Sequence, residues 1–263
     1  MPPATERPSA FAAVAPQPAP LPDRLAAGPV VLRRMQGPCA EHPFGTDNLG
    51  RDVMSRLMYG ARISLTVGIL ATTMGAIVGV FLGILSGYYG GVIDSIIMRI
   101  IDVLMAFPGI LLALGIVTIL GRSTFNVIVA VAIFAVPGFA RIVRGSTLGV
   151  RKLEYIDAIR AVGARDGRII FRHILPNILS PIIVQSTLNV GTAVVAAAAL
   201  AFLGVGTPPP TPEWGIMLSN GREFMLQAPR LVMLPGLMIF LLVVGINLFG
   251  NGLRDVLEPK KRS

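Results

Sequence analysis

Five stretches of this chain contain no Asp, Glu, Lys or Arg: residues 63–93, 103–121, 123–140, 173–212 and 231–253. Each can supply the ~17–25 mostly apolar residues that cross a bilayer core as one helix. A water-soluble fold would have to hide five helices, apolar on every side, in one small core. Charged residues make up only 14% of the chain, against roughly 25% in a soluble domain. The expectation is an all-α integral membrane protein with five transmembrane helices.

The net charge is +9, and its placement says more than its size. If five spans alternate sides, one side receives Arg99, the eight basic residues from Arg141 to Arg172, and the four after Leu253. The other side's loops between spans hold only Arg122, Arg222 and Arg230. Basic residues collect on the cytoplasmic side of a membrane. The segment 141–172 and the C-terminus are therefore expected in the cytoplasm, on a multi-pass protein of the cell membrane. Basic residues beside lipid pair with anionic headgroups, so the charge calls for no nucleic acid.

The N-terminal segment fits this topology poorly. Residues 1–40 are rich in Ala and Pro, and their best apolar run, 25–32, is too short to span. No basic start followed by an apolar core marks a signal peptide. Five spans with the C-terminus inside place this segment outside, with seven arginines from Arg7 to Arg62. The expectation is that an upstream native helix is missing from this reading frame and that residues 1–35 are unpacked. Residues 41–62 are expected to be ordered at the outer face, since a "GTDNLGRD" turn and the amphipathic "VMSRLMYGARI" can pack on the bundle. The membrane domain is placed at 60–251 and a basic cytoplasmic tail at 252–263. The one cysteine, Cys39, excludes an intrachain disulfide.

Gly75, Gly79, Gly83 and Gly87 fall every fourth residue in the first span. They form one flat helix stripe that lets another backbone come close. The neighbour is either a helix of the same chain or a second membrane subunit. Asp94, Arg99 and Asp102 precede the second window and read as an interfacial ionic network. Pro108 is expected to kink that helix. The fourth window is crowded with Ala196, Ala197, Ala198, Ala199 and Ala201, which permits close packing or leaves room for a passage.

The stretch "EYIDAIRAVGARDGRIIFRHILPN", 154–177, packs four arginines and three acids into a largely apolar chain. A helix is expected from Glu154 to Val162, with Ile156, Ile159 and Val162 on one face. Gly163 offers a turn or C-cap. A second short helix, 166–175, has Ile169, Ile170 and Ile174 on one side, and Pro176 closes it before the next span. An apolar ridge with a charged rim suits either the lipid surface or a cytoplasmic partner.

Absences narrow the partner's role. The only lysines are Lys152, Lys260 and Lys261, and none ends a G-x-x-x-x-G-K-[ST] phosphate loop. No H-E-x-x-H or G-x-S-x-G occurs, and His42 and His173 lack ligand spacing. The chain is expected to have no catalytic centre and no metal site of its own.

The stretch "YIDAIRAVGARDGRIIFRHILPN" resembles the cytoplasmic EAA loop of binding-protein-dependent ABC importer permeases. Asp157-Ala158-Ile159 stands for E-A-A, Gly163 for the glycine, and Leu175-Pro176 for the L-P pair. Asp for Glu and Ile for the second Ala are mild departures. "HPFGTDNLGRDVMSRLMYGARISL", "GYYGGVIDSIIMRIIDVLMAFP", "FLGVGTPPPTPEWGIML" and "NLFGNGLRDVLEP" resemble the C-type permeases for dipeptides, oligopeptides or nickel. The likeness runs from about residue 36 to 259. It departs in lacking a first span before H-P-F-G-T-D, and Asn251 stands where Asp is usual.

That resemblance implies a type I ABC importer transmembrane domain with cytoplasmic coupling helices. It implies a second permease subunit, two cytoplasmic ABC ATPase subunits and an extracytoplasmic substrate-binding protein. ATP and Mg would sit on the ATPases, with no cofactor on this chain. Asp157, Ala158, Gly163, Leu175 and Pro176 would dock the ATPase, and the glycine stripe would pack subunits. Substrate contacts are not assigned. The competing function is an ion-gradient transporter or channel. It would want paired carboxylates or broken helices near the midplane, and the longest windows contain no charge.

Overall fold

A computed structural model describes residues 34–208 and 210–257. Residues 1–33 and 258–263, to which most of the expectations about the N-terminal segment and half of the basic tail apply, lie outside the described residues. The described chain is helical, and its sole β feature is an isolated bridge between Thr46 and Asp52.

Helix α1 (Val53–Tyr89) has 37 residues. At 1.5 Å per residue it reaches about 55 Å, well beyond a bilayer core of about 30 Å. Asp52 caps its start, accepting the Ser55 N–H at 2.7 Å. The amphipathic stretch 53–62 is thus the first part of the first span, not a separate surface helix. Gly90, at φ +69°, turns the chain out of α1.

The second span departs from expectation. It is a pair, α2 (Gly91–Ala106) and α3 (Gly109–Leu120), bent by 90°. Proline disfavours helical geometry at the residue before it, and here Phe107 is extended at φ −86°, ψ 137°. Pro108 therefore breaks the helix rather than kinking it. Gly109 then slides under Phe134: a Cβ there would come within 1.9 Å of the ring. α4 (Thr124–Arg151) follows, capped by Ser123 Oγ, which accepts the Asn126 N–H at 3.1 Å.

Beyond α4 come α5 (Glu154–Ala161), α6 (Asp166–Ile169), a π turn at Ile170–Ile174 and α7 (Leu175–Asn177). α8 (Leu179–Phe202) crosses back. α9 (Trp214–Gly221) lies across the far end, and α10 (Arg230–Leu257) completes the bundle.

The described core has three layers along the bundle and a small cluster of Ile101, Val136 and Ala140 between α2 and α4. The middle layer joins α1, α3, α4 and α8 through Val67, Val117, Val127, Val131 and Leu200. One end layer joins Ile84, Tyr88 and Val143 to Ile156, Ile169 and Ile174 of the charged loop. The opposite layer joins Val53, Leu57 and Leu231 to Trp214. The alanines of α8 provide close packing: a Cβ on Gly215 would meet Ala198 Cα at 2.6 Å. α10 is the outlier, with 11% of its apolar stretch buried against 61% for α4.

Candidate functional site

The charged loop 154–177 is the site the sequence singles out. α5 opens with Glu154 and Asp157 in its first turn and Arg160 in its last, the arrangement the helix dipole favours. Its C-terminus turns at Gly163, φ +86°, in the left-handed region that side chains avoid. A Cβ there would meet nothing within 4 Å, so its requirement is conformational, not steric. Ala158, Ile159, Gly163, Arg168, Arg172 and His173 line an open groove of about 620 Å³.

Of the five residues expected to dock a partner, Asp157, Ala158 and Gly163 lie together on the exposed rim of the loop. Asp157 has only a long contact with Arg160, 3.5 Å. Leu175 is half-buried beside the end layer, and Pro176 is exposed outside the groove lining. Two details correct the sequence expectation. Val162 does not join the apolar ridge. It is 89% exposed, because the helix ends at Ala161 and the turn swings Val162 outward. Pro176 does not close a separate helix either. The Leu175 N–H bonds the Ile170 carbonyl five residues back. Proline lacks an N–H and its ring would strike the carbonyl four residues earlier, and the widened turn relieves that clash. The chain then passes through Ile178 into α8.

Polar contacts fasten the loop to the bundle. The Tyr88 hydroxyl donates to Asp166 Oδ1 at 2.7 Å. Arg160 Nη2 lies 3.5 Å from the same hydroxyl. Within the loop itself, Asn177 Nδ2 donates to the Tyr155 hydroxyl at 3.1 Å and the His173 carbonyl at 2.6 Å. Sequence reasoning missed Tyr88, since a tyrosine ending an apolar helix looks like an interfacial anchor.

The ionic network at the start of α2 also differs from expectation. Asp94, Arg99 and Asp102 do not meet one another. Arg144 of α4 makes a two-pronged bond to Asp94, at 2.6 and 2.7 Å, and Ser86 Oγ donates to the same carboxylate. Asp102 pairs with Arg141 at 2.6 Å on the exposed side, and Arg99 is exposed and belongs to neither pair. Both acids of α2 thus find their partners on α4, not on their own helix.

The glycine stripe faces inward. Cβ atoms on Gly75, Gly79, Gly83 and Gly87 would lie 2.8, 2.5, 2.7 and 2.7 Å from atoms of Ala132 or Ala135, Phe139, Val143 and Thr147. All of these belong to α4. The subunit-packing role for the stripe is therefore overturned: the seam is within this chain. Another face stays open. α1 and α8 enclose an apolar concavity of about 830 Å³, lined by Ile69, Thr72, Phe81, Phe171, Ser186 and Val190 among others.

The end opposite the loop is a polar knot. Asp47 accepts Arg51 Nε at 2.7 Å and lies 3.5 Å from Arg56. Arg230 reaches the Met35 and Gln36 carbonyls, both at 2.8 Å, so Met35 is packed rather than loose. Trp214 Nε1 donates to the Leu57 carbonyl at 2.9 Å. Burial alone would raise the Asp52 pKa, but bonds from Ser55 and His42 outweigh it and hold the carboxyl below its usual range. Glu213 goes the other way: it is 1% exposed, and burial pushes its carboxyl up although Thr207 bonds it. Among the described residues no three His, Cys, Asp or Glu side chains gather as metal ligands.

An apolar bundle whose one charged helical loop is clamped to a span can be compared with known proteins. Residues 79–263 match the family described as the binding-protein-dependent transport system inner membrane component. The chain belongs to that family. It is 55% identical over 230 residues to the dipeptide transport system permease protein DppC of Alkalihalophilus pseudofirmus, covering 88% of this chain and 76% of that one. It is 53% identical over 224 residues to the glutathione transport system permease protein GsiD of Escherichia coli, covering 85% and 74%. A solved structure of the MetNI methionine ABC transporter shares the fold, with TM-score 0.62 at 20% identity over 78% of this chain and 97% of that one. An amino acid ABC transporter superposes with TM-score 0.60 at 14% identity, over 77% and 94%. The chain is thus an inner-membrane, multi-pass permease of an ABC importer with the type I transmembrane fold, and the ion-gradient alternative falls.

Proposed function

We propose that this permease moves di- or oligopeptides, or a related small solute such as glutathione or a nickel chelate, and that residues 154–177 dock its ATPase. The observation that carries the docking half is the loop itself. It is exposed and helical, turns at a left-handed glycine, borders a groove with a basic rim, and is anchored to α1. The peptide half rests on likeness to the dipeptide and glutathione permeases.

The working assembly has a second permease subunit, two cytoplasmic ATPase subunits carrying ATP and Mg, and an extracytoplasmic binding protein. Residues 60–251 form the permease domain, with the loop end and the C-terminus in the cytoplasm. With α4 occupying the glycine stripe, the second permease needs another face, and we assign it the concavity between α1 and α8. ATP closing the ATPase pair moves the loop, and the spans switch between two access states by differential binding of nucleotide and loaded receptor.

The test is reconstitution in proteoliposomes with the ATPases and the binding protein. ATP-dependent uptake of a labelled dipeptide or glutathione supports the reading. ATP-independent uptake driven by an ion gradient would contradict it.

A further inference from the structure

We propose that Tyr88 makes the 154–177 loop move as one body with α1 and α4, and is thus a positioning residue for coupling. This rests on the reading of that loop as the ATPase dock. Tyr88 is the second-last residue of α1 and 3% exposed. Its hydroxyl bonds Asp166, the first residue of α6, at 2.7 Å. Arg160, in the last turn of α5, reaches the same hydroxyl and places its guanidinium 5.8 Å from the ring centroid. One side chain on a span therefore holds both helices of the loop.

The span it belongs to has little slack. Gly87, one residue away, leaves no room for a Cβ against Thr147 of α4. The Asp94–Arg144 fork, with Ser86, ties α1, α2 and α4 together one turn further on. The joint towards α8 is of another kind. It runs through a π turn and then Ile178, which leaves helical geometry at φ −104°, ψ 5°. Widened turns of this sort mark bending points in helices. A displacement of α5 is passed rigidly to α1 and α4, and α8 flexes at the π turn.

Spin labels test this in the assembled importer. Cys39→Ser removes the native thiol, and Val162→Cys with Met58→Cys places labels on the exposed loop and near the far end of α1. In the otherwise unaltered protein, adding ATP with vanadate leaves this distance distribution unshifted. Tyr88→Phe keeps the ring but removes the hydroxyl, and the distribution then shifts on ATP. Asp166→Ala, an exposed change outside the spans, produces the same shift, and the double variant adds nothing to it. Asp166→Asn, whose amide oxygen still accepts the hydroxyl, restores part of the rigidity. A shift without any of these substitutions, or none with either Tyr88→Phe or Asp166→Ala, overturns the proposal. ATPase subunits that fail to bind the importer at this loop overturn the docking reading itself, and Tyr88's role with it.

Discussion

The α1–α4 seam and the 154–177 loop both depend on glycine, for opposite reasons. In the seam, four glycines sit where any Cβ would collide with α4, some of it backbone: Gly79 faces the Val136 carbonyl at 2.8 Å. In the loop, Gly163 has open space around it but a backbone angle of φ +86°. The seam needs an absent side chain so that two helices in lipid can touch, where dispersion replaces the hydrophobic effect. The loop needs only a backbone free to turn left. Damage to the seam therefore removes the protein, while damage to the loop leaves it in the membrane but disconnected.

The largest expected effect follows from the seam. Gly79→Leu or Gly83→Leu inserts a whole side chain where not even a methyl fits. Overpacking costs about 1–3 kcal/mol even for small insertions, so neither variant should accumulate in membranes. Normal levels of both, measured by immunoblot, would break the contrast.

Next comes Arg144→Ala, which leaves Asp94 without its fork. Losing one partner leaves a half-buried carboxylate without its charge-assisted bonds, so the single variant should lose thermal stability. The double variant Arg144→Ala/Asp94→Asn should recover part of the lost thermal stability in detergent. Equal losses in single and double variants would mean the fork is not the fastening of α2.

Gly163→Val comes third. A left-handed angle costs an L residue about 1–2 kcal/mol, and the exposed turn can absorb that by shifting. Membrane levels should match wild type while ATPase co-purification falls about tenfold. Gly163→Ala should fall between them. Wild-type co-purification by Gly163→Val would separate the turn from docking.

Much of the architecture was readable in advance because periodicity is local. The uncharged windows found the spans, and the i, i+4 glycines announced a tight seam. What sequence could not supply was the partner across that seam, since the same stripe serves a neighbour in either chain. Pro108 signalled a kink, but the 90° break also needed Gly109 to pass beneath Phe134, a residue 25 positions away. The π turn was invisible, because nothing in "IFRHI" distinguishes it from α-helix. Within the site, Gly163 and the rim residues were legible from their spacing. Tyr88 and Asp166 were not, since their bond joins residues 78 apart.

The smallest expected effect lies at the end opposite the loop and serves as a control on both regions. Burial raises Glu213 above its ordinary 4.5, so the folded chain holds this proton more tightly than the unfolded one. Stability from this group falls as pH rises from 4.5 through the raised value. Glu213→Gln should raise Tm slightly at neutral pH, and the gain should vanish below about pH 4.5. Coupling should not change.

Docking of the ATPase at the 154–177 loop is tested most directly by a cross-link. Val162→Cys in a Cys39→Ser background puts the sole thiol at an outward-facing position of the loop, 89% exposed. A short bifunctional reagent should then join this chain to an ATPase subunit, and the same thiol placed at Leu49, exposed at the other end, should give no such product. An ATPase cross-link from Leu49 and none from Val162 would contradict docking at this loop.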